Sequence, residues 1–507
     1  MFPVAIVYAK MDGKKQAVLD RLLVVAGVRQ QALELQGSKY MNDMNQLDDH
    51  WHEECGIAGI YGDEKAAEKI YLGLYALQHR GQESAGIAST DGCDIALHKG
   101  LGLVWAVFSD PAAMPKLTGH AAIGHNRYST KGTTNIINAQ PIVIECKSGR
   151  IAVAHNGTIT NASQIRKGMQ DSGSIFQTTS DSEIVLHLIA RSSQTDIVHA
   201  IADALKKLVG AYCFVFLTPD KLIAARDPYG FRPLSLGMID KVYMVASETC
   251  AFDIVGAEYI RSLEPGEIVV IDNAGIRCSH LPEAPRRSYC IFEHIYFARP
   301  DSLIFGEKVD KIRRNLGKRL AIEAPADADI VIAVPDSGNT AALGYARVSR
   351  LRYEIGLIRN HYVGRTFIAP HQDKRNLDVK VKLNPVSGVL KDRRVVLVDD
   401  SIVRGTTMRQ IVRMLRDKGA REIHVRISSP PIMNPCYYGI DISRHSELIA
   451  NEKTIEQIRC YLEADSLAYL SIPGMLSTVE QSSNYCTACF DGSYPTPIPD
   501  GFDKFCF

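Results

Sequence analysis

Apolar positions along the chain follow two rhythms. From Cys55 to about Pro285, short apolar runs recur at 55–61, 121–125, 151–155, 212–217, 222–226, 242–247 and 267–271, each long enough for one strand. Helical patterns lie between them at 66–78 and 182–192. The second of these follows Ser180-Asp181, good N-cap chemistry, and carries Ile184, Val185, Leu188 and Ile189 on one face. Strands grouped in this way with helices beside them predict layered sheets faced by helices. After about Arg286 the rhythm becomes an alternation. Runs rich in β-branched residues at 330–334, 355–358, 395–398 and 423–427 are separated by helical stretches at 309–322, 340–349 and 408–418. That is the pattern of a parallel sheet with crossover helices. The expected division is a lead of residues 1–54, a first domain over 55–285 and a second over 286–507.

The sharpest stretch of the second half is 395–408, VVLVDDSIVRGTTM. A buried strand ends in two carboxylates, Asp399 and Asp400. A small polar loop of Ser401, Arg404, Gly405, Thr406 and Thr407 then feeds a helix. Ligands of open α/β sheets bind just beyond the carboxyl ends of strands, and a helix N-terminus presents N–H groups to an anion. The stretch therefore predicts a phosphate on the loop, with two acids beside it for hydroxyls or a divalent cation.

In the first half, Cys55 opens an apolar strand directly after an acidic, polar lead. If the lead is removed, Cys55 carries a free α-amine beside its own thiol. Such an amine has a pKa of about 7.7–8 and can act as base for that thiol. An amide-cleaving nucleophile needs an oxyanion site, and Asn156-Gly157 offers a side-chain amide and a backbone N–H. Asn-Gly there, closing a His-Asn strand end like the one at His125-Asn126, also reads as a tight turn. Arg127 and Asp181 are suited to the carboxylate and ammonium of an amino acid.

Composition narrows the setting. At 507 residues the chain exceeds a single core. Its 58 Lys plus Arg against 57 Asp plus Glu argue against a nucleic-acid-coating surface. No apolar run is long enough for a membrane span. Twelve cysteines scattered through so long a chain fit a reducing, cytoplasmic compartment better than a disulfide framework. Cys486 and Cys489, two residues apart, form a moderate metal signal, and with Cys290 and Cys436 they would suit either zinc or an iron–sulfur cluster.

The motifs CGIAGIYG, LQHRGQESAGIA (77–88), GHNRYST (124–130), HNG (155–157) and TTSDSE (178–183) resemble the glutaminase domain of the amidophosphoribosyltransferases, an N-terminal-nucleophile fold. YFARPDS (296–302), VPDSG (335–339), GLIRNHYVGRTFI (356–368), KLNP (382–385), VVLVDDSIVRGTT (395–407) and ISSPPI (427–432) resemble the same family's second half. The resemblance implies an α+β N-terminal-nucleophile glutaminase domain followed by an α/β type I phosphoribosyltransferase domain with a parallel sheet. Cys55 would attack the glutamine amide, with Asn156 and Gly157 as oxyanion hole and Arg127 and Asp181 binding the glutamine backbone groups. Asp399 and Asp400 would hold ribose hydroxyls and Mg2+, with Ser337 on the magnesium side and Ser401–Thr407 on the 5-phosphate of phosphoribosylpyrophosphate. The loop 359–367, with Arg365, is expected to close over the sugar phosphate and join the two sites. Cys290, Cys436, Cys486 and Cys489 match the positions that carry a [4Fe–4S] cluster in one branch of the family.

Further expectations come from the family: feedback by purine nucleotides and a dimeric or tetrameric homo-oligomer. Family leaders are short, whereas 54 residues precede Cys55. Met44 would give the short acidic leader MNQLDDHWHEE, so the first 40 or so residues read as an over-extended start or a longer propeptide. Two other functions compete. A different glutamine amidotransferase would have no use for 395–408, and a phosphoribosyltransferase-fold sensor without glutaminase activity would have no use for Cys55 and its partners.

Overall fold

The computed structural model describes residues 55–128, 135–360, 382–440 and 445–499. The first half is built on two antiparallel sheets. One has the order β11-β9-β10-β1-β4-β2-β3, from Glu258–Ser262 (β11), Ser235–Ile239 (β9), Val242–Ala246 (β10), Gly56–Tyr61 (β1), Ala121–Arg127 (β4), Ser84–Thr90 (β2) and Ile95–Leu101 (β3). The other has the order β13-β12-β8-β7-β6-β5, from Gly275–His280 (β13), Glu267–Asp272 (β12), Leu222–Arg226 (β8), Gly210–Leu217 (β7), Gly149–Ile159 (β6) and Ile142–Cys146 (β5).

Side chains of a strand alternate between its two faces, and here both faces are buried. Ile57 and Tyr61 of β1 meet Ala154, Val215 and Leu222 between the sheets. Ala58 and Ile60 face the other way, onto Ile70 and Leu74 of the helix Ala66–Ala76. On the far side, Val153, Phe214 and Phe216 pack under the helices Ser182–Arg191 and Ile197–Leu205. This two-sided burial explains apolar runs such as GIAGIY with no polar alternation, and each fully buried Ile contributes about 1.5–3 kcal/mol.

The second half holds a five-stranded parallel sheet in the order Arg352–Tyr353, Ile330–Ala333, Arg394–Asp399, Glu422–Ile427, Ser466–Tyr469. Helices Val309–Glu323 and Asn339–Ser349 cover one face through Ile312, Leu316, Ala342 and Tyr345. Helices Thr406–Asp417 and Ile455–Leu462 cover the other through Ile411, Leu415, Ile458 and Leu462. Among the described residues no helix is long and apolar enough to cross a membrane.

Three local expectations need correction. The run at 355–358 is not a strand of the parallel sheet. Leu357–Arg359 pairs antiparallel with Leu383–Pro385 off the sheet, because Ile355 and Ile358 are 63% and 52% exposed and only Leu357 turns inward. The edge of the sheet is taken by Arg352–Tyr353 instead. Asn156-Gly157 does not make a hairpin turn either. β6 runs through it to Ile159, with Asn156 opposite Cys213 and Gly157 opposite Tyr212 on β7. The left-handed tendency of the pair is used inside the strand, where Gly157 sits at φ +144° and an added Cβ would lie 2.2 Å from the Ala211 carbonyl oxygen. Finally, the helix expected at 408–418 starts at Thr406, because Gly405 at φ +78° turns the chain two residues earlier.

Candidate active sites

Cys55 stands at the head of β1, near the middle of its sheet, 8% exposed. Its Sγ donates to the Tyr128 carbonyl at 3.6 Å. Burial pushes the thiol up to about 11, against the pull of Arg127, while Asp181 and Glu83 add to the rise. At neutral pH roughly one thiol in 10⁴ would be ionised, so the sulfur needs a base beside it to react. The same charges place Arg127, at the end of β4, and Asp181 around the sulfur.

Asp181 stands at the N-cap position of the helix Ser182–Arg191 but makes no capping hydrogen bond; its Oδ2 accepts instead from the Ile159 N–H of β6 at 3.0 Å. That bond sets the carboxylate two residues from Gly157. The Asn156 side-chain nitrogen is buried and, among the described residues, has no hydrogen-bond partner. A buried donor left unmade costs about 1–3 kcal/mol, so Asn156 is suited to an oxygen that arrives with a substrate. His125 and His155 bind the two sheets beneath the site. His125 Nε2 meets the His155 carbonyl at 3.0 Å, and His155 Nδ1 meets Ser182 Oγ at 3.0 Å. Burial holds His125 down to about 3, so it serves there as a neutral spacer. The structure thus sets Arg127 and Asp181 within electrostatic reach of Cys55 and ties Asp181 to the strand that carries Asn156 and Gly157.

The second site lies at the carboxyl end of Arg394–Asp399, the central strand of the parallel sheet. Asp399 accepts from the Asp400 N–H at 2.9 Å and from Ser337 Oγ at 3.3 Å. Ser401 Oγ donates to Asp400. Burial and the neighbouring Asp400 carboxylate push Asp399 well above the usual carboxylate range. Two acids in this position hold a cation or hydroxyl donors more readily than they hold two unbalanced charges. Ser401, Arg404 and Gly405 lead into the helix that begins at Thr406 and Thr407, and Arg404 is tied to Glu447 at 3.2 Å. Arg359 reaches back to Asp336, beside Ser337, at 2.7 Å. Arg365 and residues 361–381 lie outside the described residues, as do residues 1–54.

The four distant cysteines converge. Cys290, Cys436, Cys486 and Cys489 line one cavity with Phe231, Phe292, Tyr438, Ile440 and Tyr494. Cys290 and Cys486 face each other in a two-residue parallel ladder. Burial pushes the Cys290 and Cys486 thiols up to about 12, and burial with the three neighbouring cysteines pushes Cys489 well above the usual thiol range. Four cysteines clustered in an apolar shell suit a cationic centre, which would bind them as thiolates. Among the described residues, no three His, Cys, Asp or Glu side chains are arranged to hold a metal ion.

Sequence reading missed the charges behind these sites. Arg80, Arg232, Glu248 and Glu293 are fully buried, yet the residues around them in sequence give no sign of it. Only Arg80 sat inside a quoted motif.

A buried cysteine at the head of a sandwich strand in the first half, and an acid pair and helix-capping loop at the end of a parallel-sheet strand in the second, fit a glutamine amidotransferase fused to a phosphoribosyltransferase. Residues 125–253 match the glutamine amidotransferase domain family, and residues 307–428 match the phosphoribosyl transferase domain family. The chain is 50% identical over 453 residues to the amidophosphoribosyltransferase of Bacillus subtilis, covering 88% of this chain and 95% of that one. It is 46% identical over 461 residues to that of Methanothermobacter thermautotrophicus, covering 89% and 97%. A solved structure titled glutamine phosphoribosylpyrophosphate amidotransferase from B. subtilis, complexed with ADP and GMP, superposes with a TM-score of 0.85 at 49% identity over 88% of this chain and 99% of that one. The chain belongs to the amidophosphoribosyltransferase family. It is an enzyme of the first step of purine synthesis, whose phosphoribosylpyrophosphate binding is metal-dependent, and the sensor reading is set aside.

Proposed function

We propose that the chain, with its lead removed so that Cys55 is the first residue, takes ammonia from glutamine and adds it to phosphoribosylpyrophosphate. The products are 5-phosphoribosylamine, glutamate and pyrophosphate. The observation that carries this reading is the buried Asn156 amide nitrogen, unpartnered among the described residues, on the same strand as Gly157, with Asp181 tied to that strand and its charge felt at Cys55.

Arg127 and Asp181 hold the glutamine carboxylate and ammonium. The Cys55 α-amine accepts the thiol proton, and sulfur attacks the side-chain amide carbon. Asn156 Nδ2 and the Gly157 N–H receive the developing oxyanion. Ammonia leaves with the proton returned by the amine, and water then releases glutamate from the thioester. In the second half the loop Ser401–Thr407 takes the 5-phosphate, while Asp399 and Asp400 hold the ribose hydroxyls and, with Ser337, would hold a magnesium ion. Bound there, magnesium would supply positive charge against the departing pyrophosphate. Ammonia attacks C1 as pyrophosphate leaves, and the product sheds one proton. Glutamate and pyrophosphate should therefore appear one for one; glutamine hydrolysis without pyrophosphate release from phosphoribosylpyrophosphate would sink the assignment.

The four-cysteine cavity is assigned to a [4Fe–4S] cluster bracing the segment around 290 against the C-terminal segment. Its support is the shared cavity, and a Cys489 thiol pushed well above the usual range by burial and by its three cysteine neighbours. Anaerobically purified protein should contain about four irons and four acid-labile sulfides per chain. One zinc and no sulfide would favour the other metal that the spacing allows. The domains proposed are 55–285 and 286–507. Purine nucleotide feedback, a dimeric or tetrameric assembly and a cytoplasmic location complete the reading; a relative's complex with ADP and GMP supports the first of these.

A further inference from the structure

Between the glutaminase site and the cysteine cavity lies a set of buried charges that neither half-reaction uses. Arg80 donates through Nε to the carbonyl of Cys55 itself, at 3.3 Å. Its two terminal nitrogens grip Glu293 as a fork, at 2.7 and 3.0 Å, and one of them also meets Glu248. Glu293 takes a second arginine, Arg232, at 3.3 Å. Arg232 in turn donates twice to the Tyr438 carbonyl, at 3.0 and 2.7 Å. The Tyr438 N–H points at Cys436 Sγ at 3.4 Å, and the carbonyl of Phe231, next to Arg232, accepts from the Cys290 N–H at 3.0 Å.

The path therefore runs without a gap from the nucleophile's own backbone to two of the four cysteines. Its side chains are fully buried. The backbone beside it is also committed: at Gly439, φ +115°, an added Cβ would stand 2.7 Å from an Arg232 nitrogen.

A first residue has no covalent neighbour on its amino side. Its thiol and amine are placed by what holds its carbonyl side. For Cys55 that is the ladder beginning at Gly56 opposite Asn126, together with the Arg80 bond. A forked guanidinium–carboxylate pair fixes distance and plane together, and a reactive group needs such support from residues that do not touch substrate.

We infer that Arg80, Glu293 and Arg232 are positioning residues that form a relay through which the packing of the cysteine cavity sets the orientation of Cys55. This inference rests on Cys55 being the nucleophile. A purely structural brace would alter melting and leave the chemistry of Cys55 untouched, whereas a relay alters the chemistry well below the melting temperature.

The test uses mature full-length Glu293→Gln and Arg232→Lys, matched in iron content to the unaltered enzyme. Iodoacetamide labelling of Cys55 is followed by mass spectrometry from about pH 6 to pH 9, beside glutamine-dependent and ammonia-dependent synthesis. Labelling at neutral pH should slow about tenfold in Glu293→Gln and by a smaller factor in Arg232→Lys. The glutamine-dependent kcat should fall in parallel at an unchanged KM for glutamine, with the ammonia-dependent rate kept within about twofold. If Glu293→Gln does not fold, Arg80→Lys takes its place, keeping the charge and losing the fork. A Cys55 labelling profile unmoved in Arg232→Lys overturns the relay. Glutamine-dependent synthesis surviving in Cys55→Ala overturns the nucleophile assignment instead, so the two failures are separable.

Discussion

Cys55→Ala should lose glutamine-dependent synthesis by about 10⁴-fold or more while keeping synthesis from added ammonia close to that of the unaltered enzyme. The size of the first effect follows from what is removed. Amide cleavage here runs through a thioester, and the Asn156 and Gly157 donors have nothing to stabilise when no sulfur attacks. The second half should not notice, because the acids and phosphate loop that receive ammonia belong to a different sheet. Nor should the fold: the substitution deletes one sulfur whose hydrogen bond is a weak one to the Tyr128 carbonyl at 3.6 Å. The measurement is a pair of rates, pyrophosphate release with glutamine and with ammonium, on protein expressed without the lead so that its removal is not at issue. Amino-terminal sequencing of the unaltered mature enzyme should read Cys-Gly-Ile. Equal loss of both rates would make Cys55 a structural residue.

What could be read from the sequence follows from how burial writes itself into a chain. β1 and Arg394–Asp399 are buried on both faces, so they appear as unbroken apolar runs, and a reactive group at either end stands out by contrast. Cys55, Asp399 and Asp400 were legible for that reason. Ser466–Tyr469 and Arg352–Tyr353 were not, because short strands at a sheet edge are only partly buried and carry polar residues. Asn156-Gly157 misled for a more instructive reason. Local preference said turn, and continuous pairing with β7 kept the pair in a strand, where its unusual backbone serves the site. Glu293 and Arg232 had no local signature, and the motif around Arg80 did not show its role; their meaning comes from residues up to 213 positions apart meeting in one buried network.

Asp399→Asn should disable synthesis from both nitrogen sources alike, by about 10²–10³-fold, and leave Cys55 as reactive toward iodoacetamide as before. The contrast with Cys55→Ala is what separates the half that makes ammonia from the half that uses it. The reason lies in the ionisation of the acid pair. Burial and Asp400 raise Asp399 above the carboxylate range, so the folded chain keeps a proton there that an unfolded chain has released above about pH 3.9. Bound protons then satisfy ν(N) > ν(U), and stability from this group falls as pH rises from the unfolded value toward the folded one. Asn, which is neutral and nearly the same shape, removes that liability, so without magnesium the variant should melt no lower than the unaltered protein at neutral pH. A cation does the opposite of a proton at this site. As pH falls through the raised pKa the carboxyl protonates, so the magnesium needed for half-maximal ammonia-dependent synthesis should climb. That climb should be much reduced in Asp399→Asn, measured as magnesium titrations at a series of pH values. An equal climb in the variant would place the titrating metal ligand elsewhere, whereas its reduction together with an unlowered melting temperature identifies Asp399 as a residue retained for binding at some expense of stability.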